Sequence, residues 1–456
     1  MLGFNRPEIA ERVRLGIVMV FLAGCLLMGG GSRVDILSLS VLYPLAVLSI
    51  AAVLVVPGPL RLDELRTPLV GLTALAAVIA FQLVPLAPDI WTALPGRETV
   101  LGPIRAAQPE PGWHPLSVSP DLTLASLVAL LVPAAALVGF AALPREQTYR
   151  LAPFLLAAVA LSVLVALLQI TGGDNSPFYT YRITNRGGAV GLFANRNHQA
   201  LFLASAFPLL ALWATRPGGD PQRVQMRRLL AASAGVFLLP MLAVTGSRAG
   251  LVLGVLGLAF AWYQFRTGRS DPPAAEGHRP IRRGVWILAA VAGVVALGSA
   301  ILLSRAEAVD RLMATSLNDE LRLQYLPVVL RIAGDFFPFG PGFGSVDGMF
   351  RIYEPLELLQ AQYFNHAHND LVELAMTGGL PALVVLGAFL IWLTRRGVAI
   401  LRDKSRGRRA QFGRFGLGQI VLILVASLFD YPLRTPIMGA LFVLACGWVA
   451  AHRQTP

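Results

Sequence analysis

Apolar runs of about twenty residues recur along this chain, and they limit its fold more than any other feature. As a helix, such a run crosses a hydrocarbon core of about 30 Å. Lipid permits little else, because each backbone amide must be satisfied within its own segment. The runs are read at 15–31, 38–56, 67–87, 121–142, 151–171, 198–215, 229–244, 249–265, 285–303, 371–394, 415–429 and 434–451. The fold class that follows is an all-α polytopic integral membrane protein with about twelve transmembrane helices and one long loop at 304–370. Composition agrees, since 55% of the 456 residues are hydrophobic and 14% charged, against about 25% charged in soluble chains. Cys25 and Cys446 fall inside apolar runs, as core residues do. The first run follows Arg12 and Arg14 and lacks a small-residue cleavage site, so it reads as a retained span.

A net charge of +12 raises the question of nucleic acid, but the charges gather in short loops between apolar runs and form no stripe. That is the positive-inside pattern. With both termini in the cytoplasm, 25 of the 38 Lys and Arg lie inside and 13 outside. The inner loops then hold Arg216, Arg223, Arg227 and Arg228, the arginines from Arg266 to Arg283, and the run from Arg395 to Arg414. Segment 270–280 reads as a flexible inner linker, and the proline-rich loop 88–120 as an outer cover over the spans.

This orientation puts every unusual polar cluster on the outer face. The first runs from Arg182 through Arg186 to Phe193-Ala194-Asn195-Arg196-Asn197-His198. The second is Thr245-Gly246-Ser247-Arg248-Ala249-Gly250. The third is the long loop, with Asn318-Asp319-Glu320-Leu321-Arg322, then Pro338-Phe339-Gly340-Pro341-Gly342-Phe343-Gly344, then His366-Ala367-His368-Asn369-Asp370 against the run from Leu371. The fourth is Asp430-Tyr431-Pro432-Leu433-Arg434. Ionisable groups beside lipid are costly and mark function. Arginines kept on the disfavoured side suit an anion, because a guanidinium offers phosphate a planar fork of donors and keeps its charge. Arg248 and Arg322, with Arg186 or Arg196, could cradle a pyrophosphate while a nearby His takes a proton from an incoming hydroxyl. No Asp-x-Asp pair stands on the outer face, which favours a metal-free scheme.

These motifs resemble the O-antigen ligase/polymerase superfamily with its Wzy-C domain. The resemblance rests on Gly191-Leu192-Phe193-Ala194-Asn195-Arg196-Asn197, Thr245–Gly250, Arg322 ahead of Pro338–Gly344, and His368-Asn369-Asp370-Leu371-Val372-Glu373 with Gly378-Gly379-Leu380-Pro381. It is strongest over 180–400. It implies a GT-C-like glycosyltransferase of the bacterial inner membrane, multi-pass, working on the periplasmic side. Such an enzyme moves a glycan from an undecaprenyl-diphosphate carrier onto a glycan or lipid acceptor, with inversion and with no cofactor or metal. Carried over by position, Arg248 and Arg322 bind pyrophosphate, and His368 activates the acceptor. Arg186, Asn195, Arg196, Asn197, Asn369 and Asp370 are the candidate substrate-binding residues. The division implied is 1–180 for N-terminal spans, 181–400 for the catalytic core with the loop, and 401–456 for the last inner loop and two spans. Partners are the lipid-linked donor, the acceptor and membrane lipids, with no nucleic acid.

Plainer readings stand beside these. His368 could cap the helix from Leu371, with Asp370 as its N-cap. Arg248 could anchor a span by snorkelling, and Arg322 could lie on an amphipathic helix at about 318–333 beside a solvated Arg331. His366 has no assigned role. The glycine turn at 340–344 is no phosphate loop, since no Lys-Ser/Thr follows it, and it reads as a turn folding the loop over a cavity. Asp430 reads as an interface cap able to pair with Arg434. The rival function is a membrane transporter for a small anion or lipid-linked sugar, which calls for midplane charges and broken helices.

Overall fold

A computed structural model describes residues 7–107, 112–269, 317–359 and 364–452, with the side chains of 103–105, 107 and 317–323 excepted. The described chain is helical almost throughout, and one two-residue pair, Pro85–Leu86 against His114–Pro115, supplies the strands. Helices occupy the apolar runs from Pro7–Met28 to Arg248–Gly268 and from Asp370–Arg402 to Pro436–Ala451. The run at 285–303 lies outside the described residues. Among the described residues, five helical stretches are long and apolar enough to cross a membrane by length and composition, with Pro120–Ala142 counted as one and Pro221–Val244, Arg248–Gly268 and Asp370–Arg402 among the rest. The run read as 121–142 is divided at Leu130 into Pro120–Ala129 and Leu131–Ala142.

Small residues draw these helices together, as expected where lipid leaves no hydrophobic gain in association. Gly257 sits where a Cβ would lie 2.5 Å from the Ala204 carbonyl, and Gly250 faces Ala200 in the same way. Helices Arg196–Ala214 and Arg248–Gly268 therefore meet closely over their length. Cys25 and Cys446 are buried and unbridged, as read.

The run at 371–394 is the main departure. Helix Asp370–Arg402 is interrupted at Gly379, whose φ of 57° and ψ of −151° are non-helical. Two sequence signals cooperate here. Pro381 removes an amide donor, and Gly379 adopts a left-handed φ that a side chain would resist. The glycine turn at 338–344 fills the break. Leu380 N donates to Pro338 O at 2.7 Å, and Gly342 N to Thr377 O at 3.2 Å. Gln82 Nε2 reaches both Phe339 O and Thr377 O, and Gln82 Oε1 accepts from Phe343 N. The turn is thus a plug in a broken helix, and its glycines are required by contact, since a Cβ on Gly340 would stand 2.5 Å from Thr377 O. The expected cavity beneath the 304–370 loop falls partly on residues outside the described ones.

In the loop at 88–120, helix Pro88–Thr92 carries a buried Trp91, and helix Arg97–Ala107 follows it. Arg97 lies under this cover, over the Trp91 and Phe336 rings at 4.9 and 5.5 Å. Burial pushes its guanidinium down to about 10.

Candidate active site

Four chain segments distant in sequence meet at one end of the helices. Helix 196–214 begins there with Asn195 as N-cap, its side chain accepting from Asn197 N at 2.8 Å. Helix 248–268 begins there with Ser247 as N-cap, whose Oγ accepts from Gly250 N. Helix 370–402 begins there too. Its N-cap is Asn369, and not Asp370 as the sequence suggested, because the Asn369 side chain accepts from Leu371 N and Val372 N at 3.0 Å each. The fourth segment is the link 427–435 between the last two helices.

Asp430 is the hub. It is buried, and its Oδ2 accepts from Asn195 Nδ2 at 2.9 Å and Asn197 Nδ2 at 2.7 Å. Ser247 Oγ donates to Asn197 Oδ1 at 2.7 Å, which ties the Ser-Arg turn into the same network. His368 Nδ1 stands 3.4 Å from Asp430 Oδ1, and the buried His198 Nε2 stands 3.9 Å from Oδ2. Tyr431 lies among the imidazoles, with ring centroids 4.4 Å from His366, 5.0 Å from His368 and 5.6 Å from His198.

A second knot lies beside it. Glu373, one turn into the helix and 1% exposed, accepts from Ala367 N at 3.0 Å and lies 3.0 Å from His366 Nδ1. Arg434 bridges Glu373 at 3.3 Å and Asp370 at 3.5 Å. Asp370 also accepts from Ser427 Oγ and Leu433 N. Arg434 thus joins this pair of carboxylates, where the sequence offered it to Asp430.

Backbone strain singles out His368. Its φ of 50° makes it the non-glycine residue in the left-handed region among the described residues. That conformation costs about 1–3 kcal/mol and persists where the surroundings impose it, commonly at functional sites. Here the Glu373 clasp on Ala367 N and the Asn369 cap fix the chain on both sides of it.

Of the residues expected to bind substrate, Asn195 and Asn197 hold Asp430, Asn369 caps a helix and donates to Leu428 O, and Asp370 is buried against Arg434. Arg248 is exposed at the first position of its helix, beside this network. Arg196 lies near the Gly246 turn, where a Cβ would come within 3.8 Å of its Nη1. Arg186 is tied elsewhere, donating to Asp174 O at 3.0 Å with its charge 5.8 Å from the Tyr179 ring. Arg322 belongs to helix Leu317–Asp335, which covers the amphipathic helix expected at 318–333, but its side chain lies outside the described residues. Glu373, Tyr431, Ser427 and Ser247 were not singled out as site residues. Glu373 carried a usable signal, a carboxylate inside the first turn of an apolar run.

A helical membrane protein that gathers histidines, carboxylates and arginines at one end of its helices has the makings of a membrane-embedded transferase. Residues 233–387 match the model of the Wzy_C family, described as O-antigen ligase, the family that the motifs resemble. The matched stretch includes Arg248, the glycine turn and the His368 helix start. No curated protein matches the chain. The domain supports a role in glycan transfer and the embedding of the chain in a membrane.

Proposed function

We propose that the protein transfers a glycan from an undecaprenyl-diphosphate carrier to an acceptor hydroxyl at the periplasmic face of the bacterial inner membrane, inverting the anomeric centre without a metal. The observation that carries this reading is His368, strained and set against the buried Asp430. The Asp430 carboxylate, 3.4 Å from Nδ1, stabilises the imidazolium that forms, leaving Nε2 to meet the acceptor. The hydroxyl oxygen attacks the anomeric carbon while its proton passes to His368. The bond from that carbon to the diphosphate oxygen breaks, and its electron pair leaves with the carrier. Arg248 and Arg322 offset the charge developing on that diphosphate, a part that a metal ion plays elsewhere. The orientation draws support from the opposite end of the helices, where Arg61, Arg145, Arg396 and Arg409 gather.

The test uses purified protein in lipid with carrier-linked glycan and no divalent ion. Linkage analysis by NMR should give an anomeric configuration opposite to that of the donor. A ladder of longer carrier-linked glycans marks a polymerase, and a single addition to a distinct acceptor marks a ligase. Retention of configuration would refute the one-step scheme.

The break at Gly379 is the observation that favours a transporter, since broken helices build ion sites. The Thr377 carbonyl at the break, however, is taken by protein donors, accepting from Gly342 N and Gln82 Nε2. Vesicle flux of the carrier-linked glycan without transfer would favour that reading.

A further inference from the structure

Arg434 stands at the histidine end of the helices, in the turn Pro432–Arg434, with its side chain 20% exposed. Two carboxylates face its donors. Nη2 lies 3.3 Å from Glu373 Oε1, and Nε lies 3.5 Å from Asp370 Oδ1. A diphosphate arriving there would meet like charge, which sets this arginine to a different task from Arg248. Both carboxylates are buried, and Asp370 Oδ1 makes no hydrogen bond. Arg434 is the cation beside it, and a buried carboxylate stripped of its counter-charge is strongly destabilising.

Each carboxylate holds one half of the His368–Asp430 pair. Glu373 Oε2 accepts from Ala367 N at 3.0 Å, the amide just ahead of His368, and Glu373 Oε1 lies 3.0 Å from His366 Nδ1. That side restrains the backbone of His368 at its φ of 50°. Asp370 works on the other side. Its backbone N donates to Ser427 O at 2.9 Å, and its Oδ2 accepts from Ser427 Oγ at 2.9 Å and Leu433 N at 3.2 Å. Ser427 and Leu433 stand three residues before and after Asp430, so these bonds fix both ends of the link that carries it. Arg434 therefore joins the hold on the imidazole to the hold on its carboxylate. His368 Nδ1 and Asp430 Oδ1 are 3.4 Å apart, where a shift of a few tenths of an ångström decides whether they bond.

We infer that Arg434 is a positioning residue: acting through Glu373 and Asp370, it keeps Asp430 against His368 and binds no phosphate itself. The inference rests on His368 as the general base of the function proposed. Losing such a hold misplaces the base and its partner, which lowers the rate of the chemical step and leaves carrier affinity as it was.

The experiment compares the full chain in lipid as wild type, Arg434→Gln, Arg434→Lys, Glu373→Gln, Arg248→Gln and His368→Ala. Each is scored for thermal midpoint, for carrier release from carrier-linked glycan, and for binding of undecaprenyl diphosphate alone. Arg434→Gln should lower kcat by about 10- to 100-fold with undecaprenyl diphosphate binding unchanged. Arg248→Gln should weaken that binding about tenfold, the value of a charge-assisted hydrogen bond. Arg434→Lys should recover part of the rate, because an ammonium still faces both carboxylates. Glu373→Gln should lose rate as Arg434→Gln does, and it carries the test if Arg434→Gln does not fold. A wild-type kcat in folded Arg434→Gln or Glu373→Gln, with His368→Ala inactive, overturns the inference and leaves the base in place. Carrier binding weakened in Arg434→Gln as in Arg248→Gln makes Arg434 a phosphate ligand and overturns it equally. Transfer that persists in His368→Ala overturns the function proposed, and this inference with it.

Discussion

His368 sits in a conformation that its side chain opposes, next to a carboxylate held by two asparagines. This combination separates function from stability in a testable way. His368→Gly relieves the strained φ, so its thermal midpoint should equal or exceed that of wild type while transfer falls by about 10²–10⁴-fold, the range of general base catalysis. A midpoint well below wild type would instead make the histidine a packing residue. Asp430→Asn keeps the shape but removes the charge facing His368 Nδ1. It should lower kcat by about 10-fold or more with little change in donor KM, which steady-state kinetics reads directly. The candidate base was legible in the sequence because imidazoles beside an apolar run are conspicuous. Its partner was less so, because the short link carrying Asp430 gives no hint of which helix start it will meet.

The helix that starts just after His368 depends on the turn at 338–344. Gly379 turns the chain out of helical geometry, and Pro338 O occupies the space where its Cβ would lie, 2.1 Å away. Gly379→Ala therefore meets both a strained φ and a backbone clash. We expect a loss of about 3 kcal/mol or more, read as a clear fall in thermal midpoint and in membrane yield. Gly387, with open space around it, should accept alanine with little effect. The helices themselves were legible from apolar run length, since composition leaves few alternatives. The break was not. Gly378-Gly379-Leu380-Pro381 is embedded in a run apolar enough to read as continuous, and what fills it is a turn whose partner the sequence does not announce.

Across the whole molecule, the site draws on segments from Asn195 to Arg434, beyond the matched domain at 233–387. Residue types pointed to these segments one at a time, while their convergence on Asp430 is a property of helix packing. The two ends of the bundle differ, with His198, His366 and His368 around Asp430 and Tyr431 at one and carbonyl-bound arginines, with His452 beside Asp403, at the other. If the arginine-rich end faces the cytoplasm, cysteines introduced at Leu37, which is 88% exposed, and at Lys404 should label from opposite sides with an impermeant maleimide. The native cysteines are buried and should stay silent. Labelling of both from one side would reverse or break the orientation.

On the function proposed, transfer takes place at His368 with Arg248 on the carrier diphosphate. The most direct test is the rate of free undecaprenyl diphosphate release by purified wild type, His368→Ala and Arg248→Ala in lipid, each first shown to be folded. We expect acceptor-dependent release by wild type and a loss of at least about 100-fold in both variants. Release at the wild-type rate by either folded variant would contradict the assignment.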